Sequence, residues 1–181
     1  MFSIIFPLLS ILPALPVSTV ETTDSVPASI DVSIDEAERL REKYRLQMER
    51  KNSVGSTAAD FHFVTRSGKQ TSLHELRTEG NLLLIFYDPD CDDCHEAMKS
   101  LAGFNASGKF HVVAIDSEED RERWEQTASS LPEDWTVGFA TDPIQDDETY
   151  YIMTMPTIYL LDKDKTVLLK DTTLEKVFQY N

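Results

Sequence analysis

Cysteine is nearly absent from this chain: among 181 residues only Cys91 and Cys94 carry a thiol. Two cysteines that close together cannot form the disulfide framework of a small secreted domain. A structural bridge over so short a loop would also remove little unfolded-state entropy. Chemistry is the reading that remains for the pair. Basic residues are scarce as well, 17 Lys and Arg against 32 Asp and Glu, for a formal charge of −15. That balance argues against nucleic acid or an anionic membrane as partner, because both reward clustered cations. Long apolar runs are missing except at the start, where Phe2–Val17 reads FSIIFPLLSILPALPV, too short and too proline-broken for a membrane span. No internal repeat is present, and the length suits one domain once the unusual start is set aside.

The apolar start has the length of a secretory h-region, with Val17 and Thr19 as the small-residue pair for cleavage. No Lys or Arg precedes Arg39, so the usual cationic flank is missing and an uncleaved anchor is the alternative. The expected layout is a signal-like segment at 1–17, a linker at 18–32, a helical extension at 33–54 and one domain at 55–181. An exported protein, periplasmic or otherwise extracytoplasmic, follows, with no stable membrane insertion of the mature domain. Within the extension, Ser33 and Glu36 form a capping box. Ile34, Ala37, Leu40, Tyr44 and Met48 recur on one helical face, predicting a helix from Ile34 to Lys51.

Further along, Phe61, Phe63 and Thr65 alternate as a strand before the Ser67-Gly68 turn, and a short helix is expected near Ser72–Arg77. Leu82–Tyr87 is continuously apolar, the pattern of a central strand buried on both faces, and it delivers the chain to Cys91. A helix through Met98 and Leu101, a buried strand at Phe110–Ile115 and a helix carrying Trp124 follow. Trp135–Phe139 reads as strand or loop and Asp142–Thr149 as an acidic loop. Thr157–Leu161 and Thr166–Leu169 read as a hairpin around Asp162–Lys165, and Thr173–Phe178 as a last helix. Alternating strands and helices imply parallel strands joined by right-handed crossovers, hence an α/β fold with a central sheet flanked by helices.

A Cys-x-x-Cys pair works as a redox couple when its first sulfur sits at a helix N-terminus, where unpaired amides and the helix dipole favour a thiolate. Cys91, at the end of the buried strand, is then the attacking thiol, and Cys94, one turn into the helix, the resolving one. Asp88, Asp90, Asp92, Asp93 and Glu96 crowd the two sulfurs in sequence. Acidic residues there stabilise a helix start, but they also oppose a thiolate and so point to a reducing couple.

Ala59-Asp60-Phe61, Ser67-Gly68-Lys69, the apolar strand entering Cys91-Asp-Asp-Cys94, and Met155-Pro156-Thr157 before IYLLDKDK resemble the extracytoplasmic TlpA/ResA-like branch of the thioredoxin superfamily. The likeness spans about Gly55 to Phe178. It implies a thioredoxin-like fold with a central mixed sheet and an extra N-terminal helix. It also implies a cis proline at Pro156 beside the dithiol, with Met155 offering its backbone to an extended substrate. The implied activity is disulfide exchange on a protein substrate, with an upstream dithiol donor and no cofactor. Two departures stand out. Ile85 occupies the place of a buried acid, six residues before the first cysteine, and Asp90 stands where thioredoxins often have Trp. His95, directly after Cys94, is a candidate acid-base group, and Asp90, Asp92 and Asp93 are candidates for tuning the thiols.

Other chemistries fit less well. Cys91-Asp-Asp-Cys94-His95 matches the c-type haem attachment pattern, but it follows a buried strand inside an α/β pattern. Zinc would find three ligands in Cys91, Cys94 and His95 and no recognisable fourth; His62, His74 and His111 are scattered. Asp88 to Asp92 lacks the glycine and distal glutamate of a calcium loop, so no metal site is expected. Peroxide reduction lacks the upstream threonine its signature requires. A thioredoxin-like binding module without catalysis is the remaining competitor, and two thiols at redox spacing weigh against it.

Overall fold

The structure, a computed structural model, describes residues 29–118, 120–144 and 149–180, with side chains from residue 35 onward apart from Ala106. The signal-like segment and most of the expected linker lie outside the described residues. Helix α1 runs from Ser29 to Arg50, earlier than the capping box at Ser33 predicts. The segment Ser29-Ile30-Asp31-Val32-Ser33 contains no Pro or Gly to break a helix. Ser33 is therefore inside the helix and residues 29–32 are not linker. The division into compact units falls at Ala37 and Glu38, within α1. In the unit from Glu38 onward the expected apolar stripe is only partly used: Met48 is buried, while Leu40 is 66% exposed.

Seven strands form one mixed sheet in the order β2-β1-β5-β4-β3-β6-β7. They are β1 His62–Thr65, β2 Gln70–Ser72, β3 Leu82–Tyr87, β4 His111–Asp116, β5 Thr136–Ala140, β6 Thr157–Leu161 and β7 Val167–Leu169. The three strands β3, β4 and β5 are parallel, and β6 runs antiparallel to β3. Every residue of β3 is buried. Its alternate side chains feed two cores: Leu83, Ile85 and Tyr87 pack on one face, Leu82, Leu84 and Phe86 on the other. The first face is covered by α2 (Asp92–Phe104), α3 (Arg121–Thr127) and α4 (Leu174–Gln179), through Met98, Leu101, Trp124, Leu174 and Val177. The second holds Phe61, Phe86, Tyr150 and Tyr159, whose rings pack edge-on or tilted with centroids 4.9 to 6.3 Å apart. Among the described residues, no helix is long and apolar enough to cross a membrane.

The helix expected at Ser72–Arg77 does not form. Asp60 accepts hydrogen bonds from the Ser72 hydroxyl (3.0 Å) and the His74 amide (2.9 Å), and Glu75 accepts from the Ser72 amide (3.2 Å). These local bonds hold the backbone in turns that compete with a helix. Asp120 caps α3, accepting from the Arg123 amide at 3.0 Å. The β6–β7 turn is built on Asp162, whose carboxylate accepts from the amides of Asp164 and Thr166.

Gly138 in β5 is the one glycine whose missing side chain is needed for packing. A Cβ there would lie 2.4 Å from Cδ2 of Phe63 and 3.0 Å from Cδ1 of Ile115. Gly138→Ala is expected to cost roughly 1–3 kcal/mol by overpacking, read as a lower urea midpoint. Gly103→Ala in α2, where nothing lies within 4 Å, should be neutral or stabilising by up to about 1 kcal/mol.

Candidate active site

The site lies where β3 ends and α2 begins. Asp88 organises the turn between them: its carbonyl accepts from the Cys91 amide (3.1 Å) and its carboxylate from the Asp90 amide (2.8 Å). Cys91 is the N-cap of α2, with an extended backbone at φ −85 and ψ 116, and its Sγ accepts from the Cys94 amide at 3.2 Å. A sulfur thus occupies the place that a serine or aspartate oxygen usually takes at a helix start. Its carbonyl accepts the next bond of the helix, from the His95 amide.

The two thiols differ in access. Cys91 is partly exposed, whereas Cys94 is fully buried against Met98 and the sheet. Burial pushes the Cys94 thiol up to about 12; its hydrogen bond with Cys91 adds to the rise, and the Asp88 main chain works against it. On the other side, Cys91 Sγ lies 3.7 Å from the carbonyl of Met155, and the Met155–Pro156 bond is cis. The structure therefore brings Cys91, Cys94 and Met155 together. Pro156 lines an adjacent cavity of about 410 Å³ with Met153, Thr154 and Thr157.

The remaining sequence candidates divide. Asp92 and Asp93 are exposed in the first turn of α2. His95 is exposed on α2. There it lines an open groove of about 430 Å³ with Tyr87, Pro89, Met98 and Leu131. Asp90 forms an ion pair with Arg123 of α3 (2.7 Å), which also binds Asp88 (2.5 Å). The other histidines are engaged elsewhere: His62 with Asp142, His74 with the Ala58 carbonyl, His111 with the Thr136 hydroxyl. Among the described residues, no three His, Cys, Asp or Glu side chains are grouped to hold a metal.

Sequence reasoning missed two residues, Arg123 and Asp116. In RERWEQ, Arg123 looks like any solvated charge beside a buried Trp. Asp116 ends an apolar run, which was the only available signal. It is 1% exposed, lies on the α2 face of the sheet by strand alternation, and is paired in register with Tyr87. Burial raises its carboxyl to about 6; the Glu118 amide, donating at 2.8 Å, opposes the rise. Tyr87, itself buried, is raised by burial first and then by the charge of Asp116.

Two outcomes follow from these environments. Iodoacetamide on the reduced native protein should modify Cys91 and leave Cys94 unmodified until denaturant is added, as peptide mass mapping would read. Asp116, whose folded value lies above the unfolded one, favours the native state when protonated. That contribution is full below about pH 4 and is lost as pH rises through about 6. Asp116→Asn is therefore expected to stabilise the protein above pH 6, by up to about 3 kcal/mol, and to gain little at pH 4, as denaturant unfolding at both pH values would show.

The family model described as thioredoxin-like matches residues 81–167. A thioredoxin-like protein from Bacteroides caccae shares 33% identity at a TM-score of 0.73, over 80% of this chain and 55% of that one. The chain thus spans little more than half of that relative's length. A conserved protein of unknown function from Bacteroides fragilis is 38% identical, with a TM-score of 0.65, over 71% of this chain and 98% of its own. A domain of a possible thiol-disulfide isomerase from Cytophaga hutchinsonii, 21% identical over 72% of this chain and 91% of its own, shares the fold at a TM-score of 0.61. No curated protein matches the sequence. With its dithiol at a helix start and its parallel core, the chain belongs to the thioredoxin superfamily, as its TlpA/ResA-like motifs imply.

Proposed function

We propose that the protein is a thiol:disulfide oxidoreductase that reduces disulfides of protein substrates through Cys91 and Cys94. The observation that carries this reading is the asymmetry of the pair. One sulfur is reachable and receives an amide hydrogen bond at a helix start; the other is buried behind it. The Cys91 thiolate attacks one sulfur of a substrate disulfide, forming a mixed disulfide and releasing one substrate thiolate. Cys94 then loses its proton and attacks Cys91 Sγ. The Cys91–Cys94 disulfide closes, the second substrate sulfur leaves, and two electrons have passed to the substrate. An upstream dithiol donor must return them, because an extracytoplasmic compartment has no reducing glutathione pool. No cofactor takes part.

Burial of Cys94 has a mechanistic use in this scheme. A thiol held up to about 12 does not compete with Cys91 for substrate, and it gains its reactivity only when the mixed disulfide has brought a sulfur within reach. An extended substrate would pair with the Met155 backbone, with a flanking side chain in the cavity beside Pro156. Met153, 70% exposed at that cavity, is an adaptable wall for varied substrates. The same burial disfavours haem attachment, since a thioether at Cys94 would require opening the core.

Reduction of insulin disulfides with a dithiol donor is the direct test. Cys91→Ser should lower the rate at least about 100-fold. Cys94→Ser should trap a mixed disulfide at Cys91 that dithiothreitol releases. Wild-type protein without exchange activity would leave the binding-module reading in its place.

A further inference from the structure

Arg123 is absent from the scheme above, yet it is the cation that faces the dithiol loop from α3. Its two terminal nitrogens go to different carboxylates, Nη2 to Asp88 at 2.5 Å and Nη1 to Asp90 at 2.7 Å. Its side chain is only 29% exposed, and its Nε is buried without a hydrogen-bond partner among the described residues. A third carboxylate, Asp116, feels the same guanidinium from beneath, as it feels Asp88. The base of this arm is fixed. Trp124, next in the chain, is buried in the core. Beyond α3, Arg66 of the β1–β2 turn donates to the carbonyls of Ala128 (3.2 Å), Leu131 (3.0 Å), Pro132 (2.5 Å) and Trp135 (2.9 Å).

We propose that Arg123 is a positioning residue for the dithiol. Its guanidinium holds Asp88 and Asp90 in the turn that sets Cys91 at the start of α2, and its charge offsets theirs beside the reactive sulfur. Asp88 is the link. Its carboxylate binds Arg123 and the Asp90 amide, while its carbonyl accepts from the Cys91 amide. A planar guanidinium suits the task because it reaches two carboxylates at once at a fixed spread; an ammonium supplies the charge but not the geometry. Without the cation, two carboxylates would face the thiolate uncompensated, and the disulfide, which carries no charge, would be favoured over the dithiol. The inference rests on Cys91 being the attacking thiol.

The test uses the full chain in four variants, each checked for folding by circular dichroism. Arg123→Gln should move the pH profile of iodoacetamide alkylation at Cys91 upward, slowing the reaction at pH 7 about three-fold or more, a size suited to a partly exposed pair. It should raise the disulfide-to-dithiol ratio in a glutathione buffer by a similar factor. Arg123→Lys should recover part of both changes, whereas Arg121→Gln on the same helix, an ordinary partner of Glu125 at the surface, should cause neither. Should Arg123→Gln not fold, Asp90→Asn decides: with Arg123 then balanced by Asp88 alone and one negative charge fewer beside Cys91, alkylation at pH 7 should quicken. An unchanged profile in folded Arg123→Gln, an equal shift in Arg121→Gln, or an unaltered rate in Asp90→Asn overturns the proposal. Alkylation needs no protein substrate, so a failure of disulfide exchange in the wild type would be seen separately.

Discussion

The amide hydrogen bond from Cys94 to Cys91 Sγ fixes the site, and much of the sheet is arranged to hold it. A helix start leaves several amides without partners, and here one is answered by sulfur instead of oxygen. For that geometry to persist, the helix must begin at one defined residue. β3 ensures this. Buried on both faces and flanked in register by β4 and β6 along nearly its full length, it has no freedom to slip, because a shift of one residue would exchange its two cores. The turn of Asp88 then carries the chain from the end of the strand into the helix. Local bonds of ordinary strength thus inherit their precision from the packed cores on the two faces of β3.

The asymmetry of the two thiols follows from the same placement. Cys91 is the N-cap, outside the first helical turn and with an extended backbone, whereas Cys94 lies within that turn. Cys91 therefore stays at the rim while Cys94 points into the core with Met98 and Leu101. Side chains of the three helices on this face pack in one core with Cys94, which is fully buried. The opposite face, filled by aromatic rings, supports β3 and β6 from behind and keeps Met155 at its distance from Cys91.

The sequence made the central strands legible for a physical reason: Leu82–Tyr87 and Val112–Ile115 are apolar on both faces, the pattern of a strand covered on both sides. The cysteine pair, and Met155 with Pro156, were likewise readable, because each is a short motif at a fixed point of the topology. Elsewhere local pattern and tertiary context disagreed. The capping box at Ser33 was real as a pattern but redundant, since the helix already had room to begin at Ser29. Ser72–Arg77 had the residues of a helix, yet Asp60, twelve or more positions away, fastened it as turns. Arg123 could not be found at all. Its importance comes from a contact 35 residues distant, which charge patterning along its own helix does not encode.

That contact changes how the acidic loop is understood. Five carboxylates near two sulfurs suggest a strongly negative field, but they are not equivalent. Asp88 and Asp90 share one guanidinium, which offsets half of their charge; Arg123 and Asp88 are partly buried, where water screens them less, whereas Asp90 is 73% exposed. Asp92 and Asp93 are exposed at the helix start, where each stabilises α2 by about 0.3–1 kcal/mol and is readily screened by salt. The amide bond to Cys91 is short-ranged and escapes that screening. Close to the sulfur, then, the favourable terms are the fixed ones, while four of the five carboxylates, all but Asp88, are solvated. A charge of −15 over the whole chain keeps the surface acidic without dictating the field at Cys91. The repulsion that Asp92, Asp93 and Glu96 exert on a thiolate at Cys91 is of this solvated kind and weakens as ionic strength rises.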